Sequence, residues 1–232
     1  MLRYDAAGEM AQVEDDLAAY FTDLIATRRA EPSDDLLSAL ITASDQADET
    51  KDQLTVTELV STAFLLIMAG FDTTVNLIAS GALALLTHPA EMEQLRADRS
   101  LLPGAVEELL RFTSPVNHAN DRFTTEEVSI GGVTIPAGSW VFIALPPANR
   151  DPGRFPDPDR LDLGRDVSSH LAFGHGIHYC LGAPLARMEA EIALGTLLDR
   201  FPEMALATSP EELRWRPVSL MNGLESLPVR LG

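Results

Sequence analysis

The sequence is short of cysteine and of positive charge, and each shortage excludes a class of protein. One cysteine in 232 residues leaves no disulfide framework, so a reducing cytoplasm is the expected compartment. Seventeen Lys and Arg stand against 35 Asp and Glu, a formal net charge of −18. That balance gives nucleic acid no basic footprint and would be repelled by an anionic membrane surface, so neither is expected as a partner. The opening MLRYDAAGEM carries acids where an export signal needs an apolar run, so no such signal is expected. Internal repeats, low-complexity tracts and the βαβ alternation of a nucleotide-binding fold are also missing. What remains is ordinary globular composition, 46% hydrophobic and 22% charged.

One stretch is nearly free of charge. From Leu59 to Ala90 only Asp72 is charged. A membrane span would bury that carboxylate near its centre at roughly 2.5–3.5 kcal/mol, and flanking aromatic belts and Lys/Arg clusters are absent. The expectation is a central helix of a soluble protein, buried on nearly all sides.

Apolar spacing predicts helices over Glu9 to Arg29 and Ser33 to Thr42, then an exposed acidic loop over Ser44 to Asp52. Thr55 and Glu58 form a capping box for the long helix, which runs to about Leu86. A short helix to Ala97 and another from about Pro103 to before Ser114-Pro115 follow. Gly131-Gly132 between two β-branched runs signals a tight hairpin, and Trp140 to Leu145 reads as a further strand. Pro146 to Leu163 has no periodicity. A helix then leads to Arg200, and Leu213 to Leu231 reads as short strands around Asn222-Gly223. The expected class is mainly α with small β elements.

The lone cysteine, Cys180, lies in FGHGIHYCLG just before a helix. Orphan N–H groups and the positive helix end favour an anionic sulfur, and glycines let the backbone approach it closely. Cys180 could still be an inert buried thiol, a nucleophile paired with His178, or one zinc ligand beside His170, His175 and His178. On the long helix, AGFDTTVN removes bulk at Ala69 and Gly70 and sets Asp72 beside Thr73. The Thr73 hydroxyl is four residues from the Ala69 carbonyl and in reach of bonding it, although a plain small-residue helix crossing has the same sequence. In EELLR, Glu108 and Arg111 share a helix face, as do Glu107 and Arg111; such pairs are commonplace on surfaces.

Together these motifs resemble the cytochrome P-450 family. The match rests on Phe173, Gly174, Gly176, Cys180 and Gly182, followed by Ala183, Ala186, Arg187 and Glu189. The resemblance implies that Cys180 ligates the iron of a b-type haem (iron protoporphyrin IX) and that Phe173 shields the ligand. Ala69 and Gly70 would lie against the haem, with Asp72 and Thr73 as the acid–alcohol pair that delivers protons. Arg122 and His178 match propionate contacts. Glu108, Arg111 and Arg160 match a structural ion-pair network, while Val116, Asn117, His118 and Met221 fall where substrate is lined. The activity implied is a cytoplasmic monooxygenase acting on a small organic substrate. No flavin or iron–sulfur motif is present, so electrons would come from an external donor such as a ferredoxin and its reductase. The resemblance covers only the C-terminal portion of the family's fold, so residues 1–232 are expected to form a single partial domain. A truncated, non-catalytic haem-binding or interaction remnant is the alternative.

Overall fold

Capping chemistry sets the first helices. The computed structural model describes residues 6–47, 53–217 and 220–232. Within it the chain divides into two compact units, ending and beginning at Gly70 and Phe71. In the first unit, α1 (Ala6–Ala30) and α2 (Leu36–Asp45) come before the start of α3 (Val56–Thr87). Asp35 caps α2 by accepting from the Ser38 N–H at 2.7 Å, so α2 starts later than the apolar spacing predicts. It also continues through Ser44 and Asp45, placed in the acidic loop by sequence; Ser44 Oγ accepts from Leu54 N at 2.9 Å. Residues 48–52 of that expected loop lie outside the described residues. The α3 capping box forms, with Thr55 N donating to Glu58 Oε2 at 2.8 Å and Glu58 N to Thr55 Oγ1 at 3.2 Å. Ile25, Ile41 and Leu59 make the small apolar core of this unit.

The second unit holds the rest of α3 with α4 (Pro89–Ala97), α5 (Leu102–Thr113), α6 (Leu145–Asn149) and α7 (Ala183–Arg200). Among the described residues, six short strands pair as three antiparallel ribbons. They are β1 (Arg122–Phe123) with β4 (Trp140–Val141), β2 (Val128–Ile130) with β3 (Val133–Ile135), and β5 (Ala205–Leu206) with β6 (Val229–Arg230). Gly131 and Gly132 turn the β2–β3 hairpin at φ +58° and +81°, the left-handed region where a side chain is strained. The core gathers Leu77 and Leu85 of α3, Leu95 of α4, Val106 and Leu109 of α5, and Leu194 and Leu198 of α7.

Two expectations need correction. The strand predicted over Trp140 to Leu145 stops at Val141, and Leu145 opens α6. Pro146 and Pro147 deprive the chain of the N–H donors a ladder needs, and proline suits a helix's first turn. The long helix is also not buried on nearly all sides. Its later part packs in the core, but Leu65, Ile67, Met68 and Phe71 are exposed. By length and composition alone α3 is sufficient to cross a membrane; its charged residues are Glu58 in the first turn and Asp72 near the middle.

The terminal turn is held against α3. Trp215 bridges Leu224, and a Cβ at Gly223 would overlap the buried Asn76 amide. Residues 218 and 219 lie outside the described residues. Gly223→Ala is therefore expected to lower stability by about 1–3 kcal/mol through overpacking. Adding Asn76→Ala should restore part of the loss, as thermal melts of the single and double variants would show.

Candidate active site

The interior of the second unit is organised around a charge. Arg111 and Glu108, three apart on α5, are each fully buried. Arg111 Nε and Nη2 donate to the two Glu108 oxygens at 2.6 and 2.8 Å. Nη1 donates to the carbonyls of Asn149 and Pro158, both at 2.9 Å, and Nη2 also reaches the Arg160 carbonyl at 3.3 Å. Every guanidinium N–H is thereby used. Glu108 Oε1 accepts further from the Asp162 N–H at 3.0 Å and from Arg165 Nε at 3.3 Å.

The third cation of this network is Arg165, not Arg160. The Arg165 side chain is 9% exposed against Glu108, whereas that of Arg160 is 68% exposed and reaches only Asp162, at 4.0 Å. Arg160 contributes its backbone carbonyl instead. The Glu107–Arg111 pair also does not form, because the Arg111 fork is already committed. Glu107 turns to α7, where Arg187 Nε and Nη2 donate to it at 2.5 and 2.9 Å. It also accepts from His170 Nε2 at 2.9 Å. Ala172 N donates to His170 Nδ1 at 3.1 Å, which fixes the tautomer with its proton on Nε2.

These anchors lead into the cysteine loop. Asn149 Oδ1 accepts from Leu171 N at 2.7 Å, and the Phe173 carbonyl accepts from Cys180 N at 2.9 Å. Gly174 and Gly176 take φ of +73° and +75°, and nothing lies within 4 Å of a Cβ built at Gly176. Cys180 is exposed, and beside it Ile177 and Leu181 are 98% and 87% exposed. Large apolar side chains around an open thiol, on glycine-shaped backbone, fit a flat apolar group that carries a metal. No group of three or more His, Cys, Asp or Glu able to hold a metal forms among the described residues.

A model of the family described as cytochrome P450 matches residues 2–221. The chain belongs to the cytochrome P450 family. Among its relatives, cytochrome P450 107B1 of Saccharopolyspora erythraea is 53% identical over 96% of this chain and 54% of its own length. Cytochrome P450 monooxygenase PikC of Streptomyces venezuelae is 51% identical over 93% and 51%. The ligand-free structure of the P450 monooxygenase TamI superposes with a TM-score of 0.91 at 54% identity, covering 98% of this chain and 55% of that one. The chain thus spans about half the length of the curated relatives it matches. P450 membership implies haem as the cofactor.

The other P450 positions are spread over several elements. Ala69 and Gly70 are exposed on α3 at the end of the first unit, and Asp72 and Thr73 stand half-buried in the second. Asp72 Oδ1 accepts from Arg216 Nη1 at 2.9 Å. Arg122 opens β1, its Nη1 donating to the carbonyls of Asn120 and Asp121. His178 ends an exposed single turn, Gly176–His178, and Gly182 precedes α7. Val116 and Met221 meet in an antiparallel bridge, and Asn117 donates to the Leu220 carbonyl at 2.8 Å. His118 bridges Ala144 and stacks edge-on with Phe142. Sequence reasoning missed Arg165, Arg187 as the partner of Glu107, and Arg216. Of these, Arg187 already stood in the motif after Cys180 and Arg165 lay five residues after Arg160 in the same irregular segment, whereas Arg216 had no signal.

Glu108→Ala should cost about 3–5 kcal/mol in denaturant unfolding, because it strands a buried guanidinium. Arg160→Ala should stay within about 0.5 kcal/mol. At Glu107, burial pushes the carboxyl up, but the hydrogen bonds from His170 and Arg187 outweigh it and hold the group at about 2 against an ordinary 4.5. A depressed carboxyl stabilises the fold above its unfolded value and loses that contribution as pH falls through its folded one. The stability gap between the wild type and Glu107→Gln should be full above pH 4.5 and close towards pH 2, as melts across that range would measure.

Proposed function

We propose that this chain is the haem-thiolate portion of a monooxygenase that inserts one atom of dioxygen into a small organic substrate. Cys180 is the iron ligand of a b-type haem. The observation that carries this reading is the open thiol of Cys180, on a residue whose backbone N–H is held by the Phe173 carbonyl and which is bordered by bare apolar side chains. Residues 1–232 make one partial P450 domain in this reading, working in the cytoplasm. Bound at Cys180, the haem would supply the binding and reductive activation of dioxygen, the thiolate's electron donation favouring O–O cleavage.

The chain's own residues hold the group and manage protons. Phe173 and the glycines at 174, 176 and 182 shape the backbone around the sulfur. Ala69 and Gly70 keep side-chain bulk off α3. Arg122 and His178 supply cations for propionates. The Asp72 carboxylate would take a proton from solvent and hand it to the neighbouring Thr73 hydroxyl, which would release its own proton toward the haem side as it accepts that one. Its half-exposed pairing with Arg216 leaves it open to water. Val116, Asn117, His118 and Met221 contribute one wall to the substrate. Electrons arrive from an external donor such as a ferredoxin and its reductase.

A second reading draws on the exposed Leu65, Ile67, Met68 and Phe71 of α3. In that reading the chain is a haem-binding or interaction remnant that does not turn over alone. The ferrous–carbon monoxide difference spectrum of the chain after haem addition tests both. A strongly red-shifted Soret band, lost in Cys180→Ser, is the expected result. An unchanged spectrum in Cys180→Ser would remove the ligand assignment, and aggregated protein with no band would favour the remnant.

A further inference from the structure

We propose that Arg187, clamped by Glu107, is a positioning residue that holds both arms of the cysteine loop and thereby fixes where the Cys180 sulfur stands. The geometry begins with the guanidinium. Two of its nitrogens are bound by the two oxygens of Glu107, a fork-to-fork pair that fixes the plane as well as the position of the group. That plane lies against the Phe173 ring, with Cζ 4.6 Å from the ring centroid. Its remaining nitrogen, Nη1, reaches the Tyr179 hydroxyl at 3.4 Å. Phe173 and Tyr179 also contact each other edge-on, 6.3 Å between centroids.

Phe173 and Tyr179 are the two ends of the loop that leads to the thiol. The Phe173 carbonyl receives the Cys180 N–H, and Tyr179 is its immediate neighbour. One cation on α7 therefore touches the side chains on either side of the loop, while its counterion on α5 also holds His170 just ahead of it. Between these anchors the backbone has little of its own to hold it. Gly174 and Gly176 are left-handed, and the outward side chains Ile177 and Leu181 pack on almost nothing. A lysine at 187 would keep the charge but lose the planar fork and the face-on ring contact.

The inference rests on Cys180 being the ligand, so the test reads the loop separately from the metal. Amide hydrogen exchange is followed in the 232-residue chain, with and without haem, for wild type, Arg187→Lys, Arg187→Gln and Glu107→Gln. The expected result is about tenfold faster exchange at the Cys180 amide in each variant, with the amides of Leu109 and Leu194 unchanged. With haem, the same variants should lose part of the red-shifted carbonyl band to an unshifted one. Cys180 exchange within about twofold of wild type in all three variants would overturn the proposal. So would equal acceleration at Leu109 and Leu194, which would make the clamp a general stabiliser. Failure of the haem reading would instead appear as a spectrum indifferent to Cys180→Ser, with the exchange result still standing.

Discussion

The buried guanidinium of Arg111 is the constraint on which the rest of the second unit depends. A cation without water must have each N–H satisfied, and Glu108 alone does not suffice. The remaining donors go to carbonyls of Asn149, Pro158 and Arg160, which lie far along the chain in a stretch with almost no regular structure. That segment has little periodic apolar pattern to fold it. It is ordered because the interior charge needs its backbone, and because Glu108 in turn takes the Asp162 N–H and Arg165. Aromatic faces complete the enclosure, with Phe155 5.4 Å from the guanidinium carbon.

Order is then passed from this centre to the thiol by short steps. Asn149 gives its carbonyl to Arg111 and its side-chain oxygen to Leu171 N, while its amide reaches Ser114 Oγ at the end of α5. Two residues after Leu171 stands Phe173, whose carbonyl holds Cys180. A parallel route runs from Glu107, the neighbour of Glu108, through His170 and Arg187. Adjacent glutamates on one turn of α5 thus serve two different segments: one takes the irregular stretch, the other the start of the cysteine loop and α7. A substitution on α5 would for that reason reach the sulfur without touching it.

Where the chain's pattern is local, the sequence was enough to place structure. The helices over α3 to α5 and α7, the Thr55–Glu58 cap and the Gly131-Gly132 hairpin are set by residues within a few positions of each other. The late start of α2 and the early end of the Trp140 strand were local, set by the Asp35 cap and by Pro146-Pro147, whereas the misplaced ion pairs concern long-range choices. Which of Arg160 and Arg165 folds back onto Glu108 depends on the turn between them, which no local spacing encodes. That Glu107 prefers Arg187 to Arg111 follows from Arg111 being fully engaged, a fact of the interior. Apolar content in α3 announced a buried helix, yet composition states what a surface is and not what covers it. The motif residues around Cys180 were readable because they act over a single short loop. Arg216, the partner of Asp72, is far from it in sequence and belongs to no motif.

The two acids closest to function are held in opposite ways, and the contrast fits their different tasks. Glu108 has no exposure and is held at once by Arg111, Arg165 and the Asp162 N–H, so its pairing is rigid; losing it costs about 3–5 kcal/mol. Asp72 meets Arg216 where both side chains remain more than a third exposed. Water screens such a pair to about 0–1 kcal/mol, and either group can exchange its partner for solvent at little cost. The proton uptake proposed for Asp72 would draw on that lability, whereas a carboxylate that holds a loop needs the reverse. An exposed partner for Glu108 would leave the cysteine loop without its foundation.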